Sequence, residues 1–473
     1  MYIPTIGLEI HAELKTRTKM FCGCNNDPDE ARPNTNVCPV CLGHPGTIPT
    51  ANKEAVRKMV QIGLALKAEI AGFSQFDRKS YFYPDLPKGY QISQYEFPIV
   101  QKGLLNGIRI TRVHLEEDAG RLAHEGDATL VDYNRAGVPL MELVTEPDIK
   151  NADEAVAFAA SLQQILRYLD ASDADMEKGQ MRIEANVSIA PEGAGKLGTK
   201  VEVKNINSFK AVHDAIRYEI ERQSKALDSG ERIKQETRGW DDKNNITVSQ
   251  RSKEEANDYR YFPEPDLPPM NIREAFDIEK LKAELPELPE EKKRRFVQEF
   301  GLPQNIVETL TLERRFAEYF EEAASELKER SPKADYQTLA NYLTSDFRGL
   351  MRNSGVELDA VKTPPEHIAH LVALIGDGKL TSRLAKDILA KMLQTGDDPE
   401  NLMKSEGMEL VSDESSLGAI ADQVIAGNPK SVSDYKGGKQ NALQFLVGQM
   451  MATTKGKAEP NLARKILEEK LKA

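Results

Sequence analysis

Between residues 5 and 14 the chain reads Thr-Ile-Gly-Leu-Glu-Ile-His-Ala-Glu-Leu, in which apolar residues alternate strictly with polar residues or glycine. A period of two predicts a β-strand with Leu8, Ile10, Ala12 and Leu14 on one face and Glu9, His11 and Glu13 on the other. The alternation recurs at 182–188, where Arg182, Glu184, Asn186 and Ser188 share a face, and at 200–204, where Lys200, Glu202 and Lys204 do. At 113–118 it pairs His114 with Glu116 and sends Glu117 to the opposite side, unless the strand ends or bulges there. Glu142 stands among apolar neighbours in 137–148. Helical spacing takes over at 52–68, at 152–169 (capped by Asp148 or Asn151) and at 209–227. Helices interspersed among antiparallel-looking strands, without regular strand-helix alternation, predict an α+β fold for this part.

The proline-rich stretch 262–269 stops any regular helix. From 278 onward the spacing is helical, with helices expected at 279–300, 304–330, 334–353, 365–375 and 382–394. Gly396-Asp-Asp-Pro breaks the pattern. Two further amphipathic helices, 441–453 and 460–471, are joined by the flexible Lys455-Gly-Lys. A chain of 473 residues is too long for one core. The expected division is a first domain over 1–277, an all-α domain over 278–405 and a small helical tail domain over 406–473.

Composition narrows the class. With 40% apolar and 29% charged residues, and no apolar run able to span a bilayer, the chain reads as globular with no membrane association. No basic-then-apolar signal opens it, so a cytoplasmic location is the expectation. A net charge of −12 argues against coating nucleic acid non-specifically. Beyond Asp422, however, lysines and arginines outnumber acids, leaving a basic tail. The four cysteines form two close pairs, Cys22-Gly-Cys24 and Cys38-Pro-Val-Cys41, the spacing of a tetrahedral thiolate zinc site in a loop over 22–41. Such a zinc has no open position and is structural; the alternative is four reduced thiols. A disulfide would need an oxidising compartment.

One strand with a wet polar face is ordinary. Several in one domain line a sheet face with carboxylates, imidazoles, amides and amines, which costs stability unless cations bind there. Oxygen-rich ligation with an occasional imidazole suits magnesium, and magnesium beside Lys and Arg suits a nucleotide phosphate. The segment 77–95 is a surface loop in which Tyr81, Tyr83, Tyr90, Lys79 and Lys88 could stack on and neutralise a nucleotide or single-stranded nucleic-acid end, or pack on one another. The glycine-rich 193–200 has the wrong residue order for a phosphate loop and reads as a hairpin turn. No hydrolase-type nucleophile motif occurs, and His44, His367 and His370 have no patterned partners.

Gly7-Leu-Glu-Ile-His-Ala-Glu-Leu, Asp77-Arg-Lys-Ser-Tyr-Phe-Tyr-Pro-Asp, His114-Leu-Glu-Glu-Asp-Ala-Gly, Asp132-Tyr-Asn-Arg-Ala-Gly-Val-Pro-Leu-Met-Glu, Lys204-Asn-Ile-Asn-Ser-Phe and Asp258-Tyr-Arg-Tyr-Phe-Pro-Glu-Pro-Asp-Leu-Pro-Pro resemble GatB, one of the subunits of the tRNA-dependent amidotransferases. So does Ala442-Leu-Gln-Phe-Leu-Val-Gly-Gln-Met-Met in the tail. The resemblance covers essentially the whole chain. It implies a glutamine-synthetase-like antiparallel catalytic cradle that uses ATP to phosphorylate the side-chain carboxylate of Glu-tRNA(Gln) or Asp-tRNA(Asn). Ammonia from a partner amidase then displaces the phosphate, and a further small partner makes the assembly a heterotrimer. The implied magnesium ligands are Glu9, His11 and Glu117, with Glu184 beside the nucleotide, where the family often has aspartate. For Glu117 to join His11 the strand would need an irregularity at that point. Lys79 and Lys88 would line the ammonia exit or contact phosphate, and Arg182 and Lys204 complete the candidate cofactor contacts. The zinc cysteines occur in only part of the family, which implies a structural role in docking the tRNA acceptor end. The helical domain and tail would grip the tRNA body. Two rival readings stay open: a non-catalytic tRNA-binding scaffold, and an ATP-dependent ligase acting on a free small carboxylate.

Overall fold

The computed structural model describes residues 1–252, 259–331, 335–408, 413–454 and 456–472. Asp258 of the quoted motif, residue 334 of the expected 334–353 helix and Lys455 of the expected linker lie outside the described residues. By contacts the chain divides into two compact units, Met1–Leu288 and Pro289–Ala473.

The opening alternation forms β1 (Tyr2–Glu13), the middle strand of a nine-stranded sheet. Its companions are β2 (Glu69–Ile70), β3 (Val100–Leu105), β4 (Ile108–Glu117), β5 (Pro139–Thr145), β6 (Met181–Pro191), β7 (Val201–Ile206), β8 (Glu236–Asp241) and β9 (Ile246–Ser252). The spatial order is β9-β8-β7-β6-β1-β5-β4-β3-β2. Neighbours run antiparallel except β7 and β8, which are parallel, so the sheet is mixed where the cradle was expected to be antiparallel throughout. The reason is the helix α3 (Phe209–Asp228), a crossover that returns the chain in its original direction.

Along β1 every second residue is sealed: Ile6, Leu8, Ile10 and Ala12 are at most 1% exposed. They share one core with side chains of α1 (Lys53–Ala65), α2 (Ala152–Tyr168) and α3, such as Met59, Phe158 and Val212. The helix starts follow from their caps. Asn52 accepts from the Glu54 and Ala55 amides, Asn151 from Glu154, and Ser208 from Ala211. With helices on the apolar face, the polar face of β1 is left for chemistry.

The segment 77–95 is not a loop throughout. Asp77–Ser80 pairs with Tyr90–Ser93, and Phe262–Pro263 adds to its other edge; the tip around Phe82 and Tyr83 is exposed, as is Tyr95 at the segment's end. Arg78 fastens this small sheet, donating to Glu264 at 2.6 and 2.8 Å with its guanidinium 4.4 Å from the Tyr90 ring centre. Between β6 and β7, residues 192–200 form the expected hairpin connection.

In the second unit the elements are helices among the described residues. The expected 279–300 helix is two, Ile278–Ala283 and Pro289–Phe300, because Pro286 intervenes; the first of them belongs to the first unit, with Leu281 in its core. The expected 304–330 helix is also divided, at Leu312 and the extended Glu313, with no proline or glycine to mark the break. Two separate apolar cores form, one around Phe320, Leu343 and Ile388 and one around Leu417, Leu446 and Leu467. No described helix is long and apolar enough to cross a membrane.

Trp240, the sole tryptophan, lies buried in β8 and reports on the first unit. Ile10→Ala should lower the unfolding free energy read from its fluorescence in urea by about 2–5 kcal/mol. Leu104→Ala, at a half-exposed position on β3, should change it by no more than about 0.5 kcal/mol.

Candidate functional site

Strand register assembles the polar face. Arg182, His11, Glu142 and His114 stand side by side across β6, β1, β5 and β4. Directly opposite residues share a face, so this row lies on the side of β1 that also carries Glu9 and Glu13. One pleat along, Glu184 stands opposite Glu9. In the other direction Leu140 is flanked by Glu13 and Glu116.

His11 is the hub. Its Nε2 lies 3.3 Å from Glu142, 3.7 Å from Glu116 and 3.9 Å from Glu9. The His114 Nε2 approaches the same two buried carboxylates, 3.4 Å from Glu142 and 3.7 Å from Glu116. Ser93 Oγ donates to Glu116 at 2.9 Å. Two donor sets, Glu9–His11–Glu184 and His11–Glu116–Glu142, each bring their ligand atoms within 4.8 Å of one another, close enough to share a cation. The buried His114 Nδ1 and Asn186 Oδ1 have no hydrogen-bond partner, so the face is not satisfied by the protein alone.

These groups set one another's charge. Burial pulls both imidazoles towards the neutral form, but the carboxylates opposite outweigh it: His11 is raised and His114 reaches about 9. Burial likewise pushes Glu116 and Glu142 up, and the imidazoles, with Lys79 beside Glu116, bring both below the usual carboxylate range. Glu9 has less help. Burial, then Glu142 and Glu184, raise it to about 7.

Cations rim the acids. Lys204 reaches Glu184 at 2.6 Å and Glu202 at 3.5 Å. Arg182 holds both oxygens of Asp118 at 3.0 Å, and Arg135, 3.7 Å from Asp118, is fixed by the carbonyls of Ala119 and Gly120. Lys79 lies 5.0 Å from the ring centre of Tyr259 and 5.9 Å from that of Tyr81. Glu9, His11, Glu184, Lys79, Arg182 and Lys204 all line one open cavity of about 480 Å³.

Glu117 and Lys88 are elsewhere. The β4–β5 register is unbroken at Glu116↔Leu140 and Glu117↔Pro139; its single shift falls at Val144/Thr145, so the irregularity inferred at Glu117 does not exist. Parity therefore gives Glu116 to His11 and turns Glu117 away, where it forms an ion pair with Lys88 and accepts the Ile92 amide at 3.0 Å. Alternation alone nominates Glu116. It singles out neither Asp118 nor Arg135, although one more period-two step from Glu116 reaches Asp118. Glu13 also lies on this face, raised to about 8 by burial and then by Asp118.

Apart from the cavity, Cys22, Cys24, Cys38 and Cys41 bring their sulfurs within 4.8 Å of one another, with Cys38 and Cys41 3.9 Å apart and no disulfide. Four thiolates about 2.3 Å from one ion are separated by roughly 3.8 Å, so this donor set fits a tetrahedral zinc.

Comparison with known proteins agrees with both units. A family model described as the GatB/GatE catalytic domain matches residues 4–277, and one described as the GatB domain matches 318–471. The chain is 48% identical over 479 residues to the aspartyl/glutamyl-tRNA(Asn/Gln) amidotransferase B subunit of Thermoanaerobacter sp. (strain X514), covering 99% of each chain. Its counterparts in Dehalococcoides mccartyi and Thermotoga maritima are 47% and 46% identical, again over 99% of each chain.

Calorimetric titration with magnesium separates the neighbouring glutamates. Glu116→Gln should weaken binding by about 10–100-fold and Glu117→Gln by less than about threefold. Affinity should fall as pH drops through about 7, where Glu9 takes up a proton. The sign follows because binding needs the carboxylate ionised and His11 neutral, so each proton displaced makes affinity rise about tenfold per pH unit.

Proposed function

The chain belongs to the GatB family of tRNA-dependent amidotransferase subunits, and from that premise we propose that the cavity over β1 is where a tRNA-borne carboxylate is activated and amidated. The products are Gln-tRNA(Gln) from Glu-tRNA(Gln) and Asn-tRNA(Asn) from Asp-tRNA(Asn). One observation carries the reading: a carboxylate-imidazole wall able to hold a divalent cation, rimmed by Lys79, Arg182 and Lys204, lines one space of about 480 Å³, enough for nucleotide phosphates and an acceptor end. The glutamine-synthetase-like character of this cradle is part of the same proposal.

A carboxylate is a poor electrophile. Its oxygen attacks the γ-phosphorus of ATP, ADP leaves, and the acyl phosphate formed is then attacked at carbon by ammonia, with phosphate departing and one proton lost from nitrogen. His11 with Glu116 and Glu142, or with Glu9 and Glu184, would hold magnesium, which when bound would supply positive charge against the phosphoryl oxygens. Lys79, Arg182 and Lys204 add fixed cations, and Arg182 is pre-oriented by Asp118. Glu9, near neutrality in its titration, is suited to accept the proton that ammonia loses. Glu117, paired with Lys88, receives no metal role here.

We assign the ammonia to a partner amidase, the chain having no recognisable amidase motif and no thiol outside the four-cysteine cluster. That the relatives are named as subunits supports partners, for which we adopt an amidase and a further small protein, the three forming a heterotrimer in the cytoplasm. Zinc in the 22–41 loop is structural. The boundary at 405 is supported by the two apolar cores of the second unit, whose lysine-rich tail is offered to the tRNA body; the boundary set at 277 is kept for the catalytic part only, since the helix Ile278–Ala283 packs into the first unit's core.

In the reconstituted complex with ATP and ammonium chloride, ADP release should require mischarged tRNA and drop roughly 10²–10³-fold in His11→Ala and Glu116→Gln. Unchanged ADP release in both variants would overturn the assignment. Release without tRNA would favour a ligase acting on a free carboxylate.

A further inference from the structure

Lys19 is a fully buried lysine that the cavity chemistry does not use. Its Nζ donates to one carbonyl, that of Tyr133, at 3.1 Å, and among the described residues no carboxylate lies within ion-pair distance of it. A buried ammonium with so little compensation is strongly unfavourable.

Its stem is packed against the base of the cysteine loop. The Lys19 amide donates to the Cys24 carbonyl at 3.0 Å, so the lysine enters the cysteine loop at its base. Its stem and Cys41 flank Gly137, where a Cβ would lie 3.5 Å from Lys19 Cδ, 3.6 Å from Cys41 Cβ and 3.9 Å from an oxygen of Glu117, which is itself paired with Lys88; that glycine's φ of +87° keeps the place free of a side chain.

Four neutral thiols would leave this charge almost bare. Four thiolates around a divalent ion carry a net charge of −2, and a buried ammonium beside them offsets half of it. We propose that Lys19 is the charge partner of the four-cysteine centre: it stabilises the anionic, metal-loaded cluster, and the loaded cluster in turn makes its own burial tolerable. The proposal rests on the reading of this loop as a zinc site. Retention of the metal then depends on a residue that is not a ligand.

The test uses the full chain, zinc-loaded and zinc-stripped, with Lys19→Met and Lys19→Gln. Zinc transfer to a chromogenic chelator should be about 10-fold faster or more in both variants. Zinc loading should raise Tm less in them than in the wild type, while the stripped variants melt no lower than the stripped wild type, since a bare buried charge has been removed. Wild-type rates of zinc release in both variants would overturn the proposal. So would equal losses of Tm with and without zinc, which would mark Lys19 as a packing residue only. If the loaded wild type holds less than about half an equivalent of zinc, the zinc reading itself fails, and the proposal with it.

Discussion

The polar face of β1 carries more charge than a sheet can hold without mutual compensation, and most of the site's geometry answers to that. At an effective dielectric near 20, two unit charges 4 Å apart interact by about 4 kcal/mol. Glu9, Glu116, Glu142 and Glu184 therefore cannot be arranged independently. His11 sits among three of these carboxylates and His114 bridges two of the same ones, so protons on the imidazoles hold the acids apart without an ion. A divalent cation would displace those protons and take over their place. The face is thus preorganised for a positive charge that it does not itself supply fully.

Such a face persists because the opposite one is sealed. The residues that alternate with Glu9 and His11 are buried under three helices, and a one-residue slip of β1 would exchange the two sets. Apolar burial is what fixes the register, and the register is what brings Arg182, His11, Glu142 and His114 into one row.

That dependence explains what could be read from the chain alone. The face of β1, the partners Glu184 and Glu116, the Asn151 cap and the cysteine cluster all follow from local period and spacing. Between Glu116 and Glu117 the register decides which one stands beside His11: with β4 unbroken, period two admits only Glu116. Contacts between distant segments leave no such trace. Asp118 orients Arg182 from 64 residues away, and Arg78 clamps Glu264 from 186. Nothing local marks the parallel β7–β8 pair either, because its direction is set by where α3 delivers the chain. The helix break at Leu312 and Glu313 also lacks any breaker residue.

The same parity links the cavity to the cysteine loop. Glu116 and Glu117 are consecutive on β4 and face opposite ways: one meets His11, the other binds Lys88 in a niche lined by Cys22, Cys41 and His44. Lys88 is packed against Gly43, where a Cβ would fall 2.5 Å from its Cγ, so the loop's close approach requires glycine there. Shifting β4 by one residue would break the Lys88 pair and pull Glu116 from His11 together. A well-ordered cysteine loop therefore supports the carboxylate-imidazole face across the sheet through one strand's register, although the two share no residue. This is the physical sense in which a metal held by the cysteines would matter to that face without taking part in its chemistry.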